Sequence, residues 1–305
     1  MTRYRKEFRK IARRLTLTDI QSGVSENHLT LDSLFDDGRV KPSSNFLLGV
    51  FSQQGIMKVL EVFGFLRLLK TLGLTKVSID IDTGDPHTHR IYAYNGPHKP
   101  ENKICELVLK KGSISIQTNI LPNFPSKNLN LLQVEWLLLQ NPNLEFSEKR
   151  PQLPGQSHPG LGVGDRLMEL LIIMTKRLRL EGIINNPNYF HTAFMFTKEF
   201  VFVNPTNEAI LHAMSRDLLT KFSFHTVAWA AHLNCVVNTI SKSIFSWKPE
   251  YLILPLSKDL IRYFRSREYQ KEVQRLTKKY RFDLDKNRLV NEMNKHNLEI
   301  HEDLY

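Results

Sequence analysis

The stretch that most constrains this chain is 151–165, PQLPGQSHPGLGVGD, with three prolines and four glycines in fifteen residues. Proline removes an amide and glycine is too permissive, so no regular element is expected there. Directly behind it, Leu167, Leu170, Leu171, Met174 and Leu178 follow the i, i+3, i+4, i+7, i+11 spacing of one helix face. Asp165 is the expected N-cap of that helix and Gly182 its expected C′ residue. Ahead of the loop, VEWLLLQNP (134–142) is apolar on both alternating faces, as a central strand covered on two sides would be. Strand, glycine-rich loop and helix therefore follow one another, with a helix entrance behind pliable backbone.

Such an entrance suits an anion. First-turn amides have no intrahelical acceptor, the helix dipole adds partial positive charge, and glycines let main chain approach phosphate oxygens. Gly160, Gly162 and Gly164 alternate where a cradle needs them. The competing reading is a plain connector whose glycines only turn the chain. The G-x-G-x-x-G dinucleotide fingerprint is not matched, and no Gly-Lys-Ser/Thr is present for a Walker loop.

Around this segment the pattern predicts a mixed α/β fold: a largely antiparallel central sheet with flanking helices, plus a C-terminal helical section. The expected blocks are 1–45 (basic amphipathic helix and polar linker), 46–205 (α/β core) and 206–305 (helical). A mostly apolar helix is expected over 55–72, ended by Gly73. Strands are expected at KVSIDID, at RIYAYN (90–95), and in a hairpin of ICELVL and SISIQTNI turned at Gly112. FMFTKEFVFVNP predicts one or two more strands. Helices are expected over 207–221, 224–242, 257–265 and 267–280. The apolar window 45–74 carries Lys58, Glu61, Arg67 and Lys70, which excludes a membrane span.

Residues 134–181 resemble the acyl-CoA binding motif of the GNAT N-acyltransferase superfamily. In that family a central strand leads to an Arg/Gln-x-x-Gly-x-Gly/Ala loop, and the next helix receives the coenzyme A diphosphate. Gly162-Val163-Gly164 matches the Gly-x-Gly part, whereas Pro159 stands in the Arg/Gln position and the insertion 142–159 is longer than usual. The resemblance implies acetyl-CoA or another acyl-CoA as cofactor. It would be held by Gln156, His158, Gly160, Gly162, Val163 and Gly164, with Lys149 and Arg150 available as phosphate clamps. It also implies an amine acceptor, on a small molecule or a protein. Glu135, on the central strand, is the implied base. Tyr189 and His191 are the implied groups on the acid side. Each has a structural alternative: a salt-bridged strand carboxylate, a core aromatic and a hydrogen-bonded core histidine.

Two other features compete. DIDTGDPHTHR gathers Asp80, Asp82, Asp85, His87 and His89, with His98 close behind; this is either a metal site or a solvated polar hairpin. The net charge of +11 is concentrated at the ends: seven Lys/Arg against Glu7 in 1–18, and eleven against five acids in 258–288. Tyr4, Phe8, Ile11 and Leu15 form an apolar stripe inside the first basic segment. That segment suits docking on its own protein, or a non-catalytic role on nucleic acid or anionic membrane. Cys105 and Cys235 form no C-x-x-C pair, so a reducing, cytoplasmic compartment is the expectation.

Overall fold

The computed structural model describes residues 4–21, 46–116, 121, 123–126 and 128–298. The fold is mixed α/β, with a mostly antiparallel seven-stranded sheet, flanking helices and a C-terminal part that is largely helical. The chain forms two compact units that are interleaved in sequence. Unit 1 comprises Met1–Gly112, Leu132–Glu145 and His158–Arg179; unit 2 comprises Ser113–Leu131, Phe146–Ser157 and Leu180–Tyr305.

Unit 1 opens with α1 (Arg5–Ala12) and the short α2 (Leu17–Ile20). Phe8 of α1 is fully buried, with its ring edge-on to Phe63 at 4.7 Å between centroids. The apolar stripe of the basic segment is thus consumed by the protein's own core. Arg5 Nε donates to both oxygens of buried Glu169, at 2.9 and 3.2 Å, and Arg177 donates to the carbonyls of Ala12 and Leu15. The apolar run at 55–72 is two helices, α3 (Gln53–Val62) and α4 (Phe65–Thr71), because Gly64 takes a left-handed conformation between them. Splitting turns part of α3 outward, and Val62 is exposed. Gly73 is the C′ glycine expected, with the Leu74 amide reaching back to the Leu69 carbonyl. Gly55 is required for a different reason: a Cβ there would fall 2.0 Å from the Ile20 carbonyl oxygen.

Strands β1 (Val77–Asp82) and β2 (Thr88–Asn95) pair antiparallel, Ile79 opposite Ala93. Next to β2 lies β3 (Lys103–Ser115), one continuous strand where a hairpin turned at Gly112 was expected. Both lysines before that glycine have partners that keep them in the strand: Lys110 with Glu135, and Lys111 with the Leu48 carbonyl. The central strand β4 (Asn128–Leu139) starts six residues earlier than 134, and α5 (Gly164–Arg177) follows the loop.

Unit 2 holds β5 (Gly182–Asn185), α6 (Phe190–Phe196), β6 (Val201–Phe202), α7 (Pro205–Asp217) and α8 (Phe224–His232). Then come β7 (Val236–Asn238), β8 (Ser243–Phe245), β9 (Leu252–Pro255), α9 (Lys258–Phe264), α10 (Arg267–Thr277), β10 (Phe282–Leu284) and α11 (Lys286–Lys295). The seven strands run β1-β2-β3-β4-β5-β9-β6, and β10-β7-β8 form a second sheet. FMF, expected as strand, belongs to α6; the helix expected over 224–242 stops at His232 and gives way to β7. Serine caps mark three of the helix starts: Ser223, Ser257 and Ser266 accept from the amides of Thr226, Leu260 and Tyr269. Tyr269 is fully buried and donates its hydroxyl to the Phe202 carbonyl, while Glu208 accepts the Phe202 amide.

Candidate functional site

The glycine loop is anchored at the end of β4. The Asn141 amide donates to the Pro159 carbonyl at 2.8 Å, and the Asn141 side chain donates to the Leu72 carbonyl. From there the loop alternates: Leu161 and Val163 are buried pegs in the unit 1 core, and Gly162 and Gly164 face outward. At Gly162 φ is +70°, and a Cβ on either outward glycine would meet nothing within 4 Å. The N-cap of α5 is Val163, not Asp165, and it contributes no side-chain cap. Asp165 lies one residue too far along, inside the first turn, where its charge still favours the dipole. No side chain caps the α5 entrance by a hydrogen bond among the described residues. The Arg166 guanidinium packs over the Tyr4 ring at 4.3 Å.

Gly182 is not the helix C′ residue. The helix ends on Leu178, and Arg179 takes the left-handed turn at φ +55°. Gly182 opens β5, where a Cβ would lie 2.6 Å from the Leu254 carbonyl oxygen. It is a close-approach glycine in a strand.

This loop runs beside the end of β4, where a Cβ on Gly160 would lie 3.7 Å from the Leu139 carbonyl oxygen. Asn130 and Glu181 exchange hydrogen bonds, the Asn130 amide to a Glu181 carboxylate oxygen and the Glu181 amide to the Asn130 carbonyl. Strand β5 is four residues long against twelve in β4. On β4, Glu135 and Trp136 are exposed, Trp136 by 46%. The Glu135 carboxylate is occupied by the Lys110 ammonium at 2.6 Å.

The other sequence-derived candidates gather elsewhere. Gly160, Gly162, Val163, Gly164, His158 and Glu135 belong to unit 1; Lys149, Arg150, Gln156, Tyr189 and His191 belong to unit 2. Gln156 is engaged within its own turn, its side-chain oxygen accepting the Leu153 amide and its carbonyl accepting from Gln152. Tyr189 stacks on His191 at 5.3 Å between centroids and meets His232 edge-on at 5.5 Å. Trp229 contacts His232 at 5.7 Å and donates its indole N–H to the Gln152 carbonyl. Gly155 lies so close to Tyr189 that a Cβ would come 2.6 Å from the hydroxyl. His191 is buried, its Nδ1 has no hydrogen-bond partner among the described residues, and burial then the neighbouring His232 push it down to about 4. It is a neutral imidazole at pH 7. Trp229, His232 and Gly155 went unrecognised in the sequence; the i, i+3 spacing of Trp229 and His232 on one helix face was the available signal.

The Asp/His hairpin is occupied by its own structure. His89 lies in β2, and its Nδ1 accepts the Leu48 amide at 2.7 Å. Asp85 accepts the amides of His87 and Thr88, which hold its carboxyl below the usual range. Asp82 accepts the Gly84 amide, and His98 stacks on Tyr94. Among the described residues no group of three or more His, Cys, Asp or Glu is placed to hold a metal, and no helix is long and apolar enough to cross a membrane. At the C-terminal end, Arg262 and Arg275 pair with Asp259 and Glu272 on their own helices.

No protein-family model matches the chain, and no curated protein matches it. A solved structure described as a crystal structure of a bacterial toxin is 10% identical, with a TM-score of 0.28, covering 59% of this chain and 73% of that one. A likeness at that level carries no argument about fold or activity.

Proposed function

We propose that this chain binds an acyl-CoA and works as an N-acyltransferase-like protein, with unit 1 holding the cofactor diphosphate at the entrance of α5. The observation that supports it is the α5 entrance, which has no side-chain cap and carries outward-facing glycines. The entrance supplies main-chain donors for phosphate oxygens. Glu135, on β4 in the same unit, is the candidate base for an amine acceptor. Its carboxylate must exchange Lys110 for the substrate amine. Tyr189, the acid the resemblance implies, lies in unit 2 stacked on His191 and has no part in this unit 1 site.

Titration with acetyl-CoA by calorimetry tests the cofactor half. Saturable binding is expected, and Gly164→Asp should weaken it at least about tenfold while leaving the thermal midpoint unchanged or slightly raised. The new carboxylate meets open space and favours the helix dipole, yet repels a diphosphate. No heat at high micromolar ligand would overturn the reading.

A further inference from the structure

Helix α1 lies alongside α5 within unit 1. Arg5 Nε bonds Glu169, and further along α1 the Ala12 carbonyl accepts from Arg177, so the two helices run in the same direction. Residues four apart share one side of a helix, so Arg5, Arg9 and Arg13 make a row with a cation every ~6 Å. Lys176 of α5 widens that row, because it stands about two turns beyond Glu169 on the helix side that meets α1. After burial, Arg9 and then Arg5 hold its ammonium below the usual range, and Glu169 opposes them. Arg9, Arg13 and Lys176 are exposed, and among the described residues none of them has an ion-pair partner. The Glu169 carboxylate beside them is buried and taken by Arg5, while Glu7 stands roughly 160° round α1 from Arg9.

Like charges gathered in this way repel one another, and a polyanion laid across them relieves the repulsion. Chemistry narrows which polyanion. A helix that settles on a membrane sinks its apolar face among the acyl chains, but the stripe of α1 is spent in the core, with Phe8 1% exposed. Single-stranded nucleic acid is held by bases stacking on open aromatic rings, and Tyr4 of this surface lies under the Arg166 guanidinium. A duplex needs neither, because its phosphates repeat at fixed intervals and a rigid row of cations meets them. We propose that the α1–α5 face of unit 1 binds the phosphate backbone of a nucleic-acid duplex, without reading its sequence, through Arg9, Arg13 and Lys176. This goes beyond the acyl-CoA reading and does not depend on it, since Lys176 lies at the opposite end of α5 from Gly164.

The test is fluorescence anisotropy of the full-length protein with a short labelled DNA duplex of mixed sequence. Saturable binding is expected, weakening with salt at a log–log slope of about −3, one phosphate for each of the three cations. Arg9→Gln with Lys176→Gln should weaken binding at least about tenfold in about 0.1 M salt and bring the slope to about −1. The thermal midpoint of that variant should be kept or raised, because a repulsion is removed. Lys271→Gln with Lys278→Gln takes the same charge from exposed positions of unit 2 and should leave binding within about twofold of wild type. A second duplex of different sequence should bind alike. The proposal is overturned if the duplex does not saturate, if the Arg9/Lys176 variant binds as wild type does, or if the unit 2 variant weakens binding as much. It is equally overturned if phosphatidylserine vesicles or polyglutamate compete for the face better than the duplex, which would assign it to a membrane or to an acidic protein. A failed duplex titration beside retained acetyl-CoA heat removes this inference and leaves the cofactor reading standing.

Discussion

At the scale of single residues, His191 carries the clearest pH consequence. Its folded-state value near 4 lies below the ordinary 6.5, so between these limits the unfolded chain takes up a proton that the folded chain refuses. Stability is thus complete above about pH 6.5 and falls as pH drops toward 4, by up to about 3 kcal/mol from this residue. Denaturant unfolding at pH 4.5 and 7 should show a shallower loss in His191→Phe; an identical slope in both proteins would refute the assignment. Some slope must remain, because burial also lowers His89 and His232. The Arg5–Glu169 pair makes a second residue-level prediction. Arg5→Met removes the guanidinium from a carboxylate that is 2% exposed, and about 3 kcal/mol of stability should be lost. Arg5→Met with Glu169→Leu should recover most of it, and a double-mutant cycle measures the coupling.

At the scale of elements, the β5–β9 pair rests on one absent side chain. Gly182→Ala puts a methyl against the Leu254 carbonyl and should destabilise by about 1–3 kcal/mol, read by thermal unfolding. Gly164→Ala, open on all sides, serves as the control and should stay within about 0.5 kcal/mol. Gly182 also shows what the sequence could and could not convey. A glycine after an amphipathic run reads as a helix end, and only the strand from a distant segment reveals the closer constraint. Patterns that depend on neighbours in sequence were legible: α1's stripe, Gly73, the β1–β2 alternation and the presence of α5 behind the loop, though not its cap. Those set by distant partners were not. Lys110 and Lys111 look like turn residues until Glu135 and the Leu48 carbonyl appear beside them. The cluster of Tyr189, His191, Trp229 and His232 joins segments forty residues apart, and α8's pattern announces a buried helix, not a site.

At the scale of the whole molecule, both basic ends are partly spent on the protein itself. The stripe of α1 is buried, and part of the C-terminal charge is paired along its own helices, so net charge alone overstates what is offered to an outside polyanion. Interleaving of the units gives a prediction at this scale. A fragment of residues 1–205 retains 113–131, 146–157 and 180–205 of unit 2 but lacks α7–α11 and β7–β10, which complete it. Circular dichroism of that fragment should show a broad, weakly cooperative melt; a sharp transition at the full-length midpoint would contradict the division.

The chain alternates between the two units five times along its length, and this has a consequence for synthesis on the ribosome. Unit 1 has all its parts once residue 179 has emerged, but by then two pieces of unit 2 are already outside and must wait, unaccompanied, for more than a hundred residues still to be translated. During that interval Leu129, Leu131 and their neighbours have no finished core to enter. A nascent chain with this wiring gives holdase chaperones a defined window, and translation speed past residue 180 becomes a determinant of yield.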